Sequence, residues 1–305
     1  MKLTLILLLV FSFIASAQTS EFVTFKADDD WQIHAKYSNP QNNKSFFLLL
    51  HAQKTSHTDF TNLFYHLQKH KYGYLALDLR GHGSSIYNLE GTTETYKTFA
   101  LSGADNQFNK MARDIEGAIK FLASKEIGKE RLIVMGSLLG ANLAIKTAAI
   151  HQEVQGAITL SAVLNVNDVL SVNPMKAYGK RPLLFISGTD NKRQYKEFQL
   201  LENLAKRIAG EENVTTIIAR TGLGASLLTS STIGKILAWT KYQKLPTIVD
   251  SSTSTVNIPL SDIESLEAQE EYIIENNSGT VMPDEAEPDI ETPVEEEDTI
   301  DDIEN

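Results

Sequence analysis

The chain has 305 residues with 28 Lys and Arg, 39 Asp and Glu, 17 Gly, 8 Pro and no Cys, a length that fits one globular domain with appended segments. The lack of cysteine excludes disulfide frameworks, thiolate zinc sites and cysteine nucleophiles. All 28 basic residues lie at or before Lys244, whereas 19 acidic residues lie from Pro246 onward, so residues 1–245 carry +8 and the net charge of −11 belongs to the C-terminal segment.

From the N-terminus, Lys2 precedes an apolar run from Leu3 to Ile14 and the small residues Ala15-Ser16-Ala17. That is the charged, apolar, small-residue order of a secretory signal peptide, with cleavage expected after Ala17. The run is shorter than the roughly 20 apolar residues that span a bilayer. An exported protein is therefore expected, periplasmic or secreted, with no membrane span once the leader is removed.

Between Glu21 and Gln243 short apolar runs alternate with amphipathic segments of helical length. Strands are predicted at Phe22 to Phe25, Gln32 to Tyr37, Phe46 to Leu50, Tyr74 to Leu77, Leu132 to Met135, Ala157 to Leu160, Leu183 to Ile186 and Thr215 to Ala219. Helices are predicted at Asp59 to Lys69, Asn109 to Ser124, Leu139 to Ile150, Gln194 to Ala209 and Ser226 to Tyr242. Two strands followed by strand-helix units predict an α/β architecture, a mostly parallel eight-stranded sheet with helices on both faces and an antiparallel hairpin at its start. Ligands of such sheets bind beyond the carboxyl ends of the strands, so the residues just after each strand carry the chemistry.

Residues 246–305 hold no Lys or Arg and five of the eight prolines, with acid runs such as Glu295-Glu296-Glu297-Asp298. So little apolar surface cannot offset the entropy of ordering, and a largely disordered acidic tail is expected, either a spacer or a docking arm for a protein partner. Ser261 and Glu264 resemble a capping box ahead of a weak stripe of Ile263, Leu266, Ile273 and Ile274. The chain thus divides into a leader at 1–17, a domain at 18–245 and a tail at 246–305.

The strand ends read His51-Ala52-Gln53, Asp78-Leu79-Arg80-Gly81-His82-Gly83-Ser84-Ser85, Gly136-Ser137-Leu138-Leu139-Gly140, Gly188-Thr189-Asp190 and Gly222-Leu223-Gly224. This series resembles the α/β-hydrolase superfamily in its small lidless form, as in bacterial esterases, dienelactone hydrolases and serine-peptidase relatives. The D-x-R-G-x-G-x-S turn at Asp78 to Ser85 is the most specific piece of the likeness. Only about twenty residues separate Ser161 from Lys180, too few for an inserted lid domain.

The superfamily places a nucleophilic serine at the centre of a G-x-S-x-G elbow, an acid after a later strand and a histidine after the last strand. Carried onto this chain, the elbow is Gly136, Ser137 and Gly140 around Leu138, the acid position is Asp190, and Leu223 stands where the histidine would be. Independently of that alignment, the seven histidines are His34, His51, His57, His66, His70, His82 and His151, and none follows Asp190. The Ser, Asp, His order of the superfamily cannot be built from this chain. An alkyl side chain offers neither a nucleophile nor a proton acceptor. The resemblance thus implies a catalytically inactive pseudo-hydrolase that binds a ligand or partner, with backbone N–H groups of Ala52 or Gln53 and of Leu139 left as an oxyanion-hole-like set.

Asp190, deprived of an imidazole, must be solvated, cap its turn or pair with Lys192 or Arg193, and exposure or capping is expected. Two other readings stay open. One is an active hydrolase of small esters or acyl substrates that uses Ser137 with His51 or His82, and the other is an interaction protein working through its acidic tail. Two leucines at these positions are expected to pack together into a filled, collapsed site, the other reading being a surviving cavity for a small apolar ligand. No cofactor, no metal and no nucleic-acid partner are expected: His66 and His70, spaced i, i+4, have no intervening Glu and no evident third ligand, and no Lys/Arg cluster has interleaved aromatics.

Overall fold

Alternation along buried strands decides the layering of the molecule. The computed structural model describes residues 19–41, 43–103 and 105–243; the expected leader and the acidic tail, with its capping box, lie outside the described residues. In chain order the elements are β1 (Ser20–Lys26), β2 (Gln32–Ser38), β3 (Phe46–Leu50), α1 (Thr61–Lys69), β4 (Gly73–Asp78) and α2 (Gln107–Ser124). They continue with β5 (Leu132–Ser137), α3 (Leu139–Ile150), β6 (Gly156–Leu160), β7 (Asn165–Val166), β8 (Val169–Leu170) and α4 (Val172–Lys176). The last are β9 (Leu183–Gly188), α5 (Lys192–Ala209), β10 (Val214–Ala219) and α6 (Ser230–Tyr242).

Among the described residues eight strands form one sheet in the order β1-β2-β4-β3-β5-β6-β9-β10. β2 runs antiparallel to β1 and to β4, and the remaining neighbours are parallel. In β3 the side chains of Phe46, Leu48 and Leu50 enter one core and those of Phe47 and Leu49 the other. The first core is closed by α2, α3, α4 and α5, and the second by α1 and α6, so both faces of the sheet are dry. Among the described residues no helix is long and apolar enough to cross a membrane.

The eight strands and five long helices sit where the sequence places them, and their ends differ for local reasons. α2 and α5 begin two residues earlier than predicted because asparagines cap them: Asn106 accepts from the N–H of Asn109 at 2.8 Å and Asn191 from that of Gln194 at 3.1 Å. α1 and α6 begin later than predicted. Asp59 and Ser226 belong instead to the 3-10 turns His57–Phe60 and Gly224–Leu227, and Thr229 caps α6 by accepting from the N–H of Thr232. The β7–β8 hairpin and α4, between Ser161 and Lys180, were not predicted, since elements of two to five residues display no period. The hairpin is closed by Asn167 and Asp168, both at positive φ of 49° and 63°.

The turn after β4 is held by Arg80, whose side chain is 1% exposed. Its Nε donates to Oδ1 of Asp114 at 2.8 Å, its backbone N–H to Oδ2 at 2.9 Å and its Nη2 to Asp29 at 2.6 Å. The guanidinium lies 5.2 Å from the Trp31 ring, and the indole N–H donates to the carbonyl of Ser85. A charge buried this deeply is tolerated only with partners on every side. Removing one carboxylate with Asp114→Ala is expected to cost about 3–5 kcal/mol in a denaturant titration. Asp29→Ala, where the carboxylate is more exposed, is expected to cost less, and equal losses would contradict this account of the turn.

Candidate functional site

β5 ends at Ser137 and α3 begins at Leu139, which leaves a single residue to reverse the chain. Leu138 does so at φ 49° and ψ −107°, a conformation that costs a residue with a side chain about 1–3 kcal/mol. Packing enforces it. The N–H of Leu138 donates to the carbonyl of Leu160 on β6 at 2.9 Å, and its carbonyl accepts from Ala141 and Asn142 in the first turn of α3. A methyl group at Gly136 would strike the carbonyl of Gly140, and one at Gly140 would strike that of Leu50. The two glycines let α3 cross close over β5 and β3.

Two further loops converge on this turn. A methyl group placed on Gly224 would lie 2.7 Å from Oγ of Ser137 and 3.3 Å from Cδ1 of Leu138, so the segment after β10 touches the elbow. The N–H of Gly224 is taken by Oγ of Ser161 at 2.9 Å. On the other side, Oδ2 of Asp190 accepts from the N–H of Gly222 at 3.2 Å and Oδ1 from that of Asn191 at 3.2 Å. Leu223 therefore stands between a residue bound to Asp190 and a residue packed on Leu138. Its own N–H donates to Oγ of Ser226 at 2.8 Å, and that hydroxyl returns a bond to the carbonyl of Leu223.

The carboxylate of Asp190 is exposed and bonds backbone; among the described residues it forms no ion pair, and Arg193 pairs with Glu197 instead. The two leucines are not buried together as a sealed plug: Leu138 is half-buried and Leu223 is 38% exposed. Of the backbone donors, the N–H of Ala52 is already committed to Oδ2 of Asp59 at 2.9 Å, which removes it from the expected set. The N–H of Leu139 opens α3 and has no acceptor within the helix. Gln53 is half-buried, and its side-chain oxygen accepts from Nδ2 of Asn167 at 3.0 Å, which ties the loop after β3 to the β7–β8 hairpin.

The displaced set of Ser137, His51 and His82 is not assembled. Oγ of Ser137 is fully buried and, among the described residues, has no hydrogen-bond partner. Nε2 of His51 accepts from the N–H of Leu79 at 3.0 Å and Nδ1 meets the carbonyl of Ala52 at 2.6 Å, so both ring nitrogens serve backbone. His82 contacts the carbonyl of Arg80 through Nδ1 and stacks on Tyr96, and its buried Nε2 has no partner among the described residues. Burial above all, with His82 adding to it, pushes the His51 imidazole down to about 3, against the hydrogen bond to Ala52. Burial likewise lowers His82, against its bond to Arg80.

The sequence reading had no role for Ser161 or Asp59. Ser161 directly follows β6, the same strand-end position that flagged the other loops. Asp59 gives no such signal, because its role depends on the return of the α1 turn onto Ala52. His57 and Asp78 also meet, Nδ1 to Oδ1 at 2.8 Å, and brace neighbouring loops. His66 lies half-buried on α1 and His70 half-buried at its C-terminal cap, and among the described residues no cluster of three metal-ligating side chains occurs.

A family profile described as serine aminopeptidase, S33, matches residues 41–209, more than half of the chain. The chain belongs to this family. Its fold is that of the α/β-hydrolase superfamily, as the solved structures agree. An esterase from Pyrococcus furiosus is 16% identical, with a TM-score of 0.56 over 74% of this chain and 90% of its own. A dienelactone hydrolase from Anabaena variabilis is 13% identical, with a TM-score of 0.58 over 75% of this chain and 100% of its own. An acetyl xylan esterase from a Paenibacillus species is 13% identical, with a TM-score of 0.59 over 76% and 86%. At such identities the likeness is one of fold. No curated protein matches the sequence.

The buried imidazole gives this member of the serine aminopeptidase family a pH-dependent stability. The folded value of His51, about 3, lies below the unfolded value of about 6.5. Its contribution is therefore complete above pH 6.5 and is lost as pH falls, at up to about 1.4 kcal/mol per pH unit. Asp114, raised to about 6 by burial against the pull of Arg80, acts in the opposite sense. The difference between wild type and His51→Gln isolates the histidine. Urea titrations at pH 7, 6 and 5 are expected to give the variant a shallower loss on acidification; parallel curves would refute the buried neutral state.

Proposed function

We propose that this chain is a pseudo-hydrolase, an α/β-hydrolase-fold protein that keeps the elbow and the acid of its superfamily but not the serine and histidine, and that acts by binding. The observation that carries the reading is the place of Leu223, held between the Asp190-bound Gly222 and the Leu138-packed Gly224. That is the vertex where an imidazole would bridge acid and nucleophile. The partial exposure of Leu138 and Leu223 supports a small apolar ligand over a filled site, because aliphatic surface left at the sheet edge gains free energy when covered. The engaged nitrogens of His51 weigh against a displaced base.

Hydrolysis of a short-chain p-nitrophenyl ester by the purified full chain is expected to stay within about 10³–10⁴ of the water rate, the residue left when a serine triad is removed. The double variant Leu138→Ser, Leu223→His is expected to raise that rate. If the variant keeps its thermal midpoint and gains nothing, the two positions are misassigned. If the wild type turns over the ester rapidly and loses this on Ser137→Ala, the pseudo-hydrolase reading fails.

We further propose an exported domain at 18–245, periplasmic or secreted, with the acidic segment 246–305 as a docking arm for a basic protein partner. The order of residues in the leader and the segregation of charge support this reading. N-terminal analysis of the protein recovered from outside the cytoplasm is expected to begin at Gln18, and an intact Met1 in that fraction would remove the leader assignment.

A further inference from the structure

The face of α5 that points to solvent carries an arrangement of charge that opposes helix stability. Lys192, Lys196, Leu200, Asn203 and Arg207 are all exposed and follow one another at i, i+4, i+8, i+11 and i+15, a continuous stripe. The first turn of this eighteen-residue helix contains Lys192 and Arg193 and no acidic residue. Cations there face the positive end of the helix dipole, and Lys192 and Lys196 repel each other one turn apart.

The acids of the helix do not relieve this. Glu197 accepts from Arg193 at 3.2 Å and from the backbone N–H of Leu164 at 3.1 Å. Glu202 pairs with Lys206 at 2.7 Å and accepts from Thr216 at 2.8 Å. Among the described residues Lys192, Lys196 and Arg207 form no ion pair. At the centre of the stripe Leu200 is 61% exposed, and a shallow, open cavity of about 370 Å³ is lined by Lys192, Arg193, Lys196, Glu197 and Leu200.

A local arrangement that costs stability, with nothing in the fold that requires it, marks a surface kept for binding. We propose that this face of α5 docks an acidic peptide segment carrying one aliphatic side chain, the carboxylates meeting Lys192 and Lys196 and the aliphatic group covering Leu200. Charge complementarity selects the occupant. A bilayer would need more apolar surface than one leucine provides. A single-stranded nucleic acid would need exposed aromatic faces, and the stripe offers none.

The test is fluorescence anisotropy with the full chain and a labelled short peptide of Asp and Glu around a central Leu. Binding is expected to weaken on raising the salt. It is expected to weaken about tenfold in Lys192→Glu, Lys196→Glu and about tenfold in Leu200→Asp. All three positions are exposed, so the variants are expected to fold, Leu200→Asp with the wild-type thermal midpoint and Lys192→Glu, Lys196→Glu with a slightly raised one as the clash with the helix dipole is relieved. A peptide with Asn and Gln in place of Asp and Glu is expected not to bind. The proposal is overturned if the acidic peptide fails to bind, if it binds the charge-reversed variant equally well, or if anionic vesicles or an oligonucleotide bind where the peptide does not.

Discussion

The close crossing of α3 over β5 and β3 is the constraint on which the candidate site depends. Hydrogen bonding between parallel strands fixes where β5 ends beside β3 and β6, and the core behind α3 fixes how near the helix must lie. With Gly136 and Gly140 removing the side chains that would keep the backbones apart, one residue must turn the chain, and the strained angles of Leu138 follow. The strain of about 1–3 kcal/mol is small beside the burial of α3, whose Leu139, Ala141, Leu143, Ala144 and Ile145 are all fully covered. Such a turn needs no chemistry to sustain it. A leucine occupies it as a serine would, because the conformation is imposed from outside the residue.

The polar groups around the elbow bond backbone. Asp190 accepts two N–H groups and, with Thr189 bonding the carbonyl of Arg220, stitches the loop after β9 to the loop after β10. Ser161 holds Gly224, Ser226 closes the turn at Leu223, and Asp59 occupies the N–H of Ala52. A carboxylate without an imidazole would be costly if buried. Here it stays at the surface and serves as a staple. These backbone bonds keep the loops around the elbow in their mutual position.

The sequence made the sheet legible because its strands are apolar along their length and its helices amphipathic, and these signals survive any reasonable shift of boundary. The turn at Leu138 is legible for a different reason, since it lies at a fixed offset from Gly136, Gly140 and the end of β5. What escaped were effects of tertiary return. The commitment of the Ala52 N–H to Asp59 depends on how the 3-10 turn before α1 folds back. The β7–β8 hairpin is too short to carry a period, and its tie from Asn167 to Gln53 joins residues 114 positions apart. Asparagine caps at Asn106 and Asn191 were readable in principle. Their signal is one polar residue ahead of the helix, weaker than the apolar period that runs along it.

The two unsatisfied features of the surface differ in kind. At the elbow the surplus is apolar: aliphatic surface at Leu138 and Leu223 with the carboxylate of Asp190 turned to its own backbone. On α5 the surplus is cationic, with Lys192 and Arg193 in the first turn against the helix dipole and Lys196 one turn on. The α5 helix begins two residues after Asp190, so the loop that staples the elbow also sets the first turn of the charged face. A change in that loop would move both surfaces together, whereas a substitution at Lys196 or Leu200, farther along the helix and in solvent, would leave the elbow untouched. The two surfaces thus present unlike chemistry, apolar at the elbow and cationic on α5, joined by the backbone of one loop.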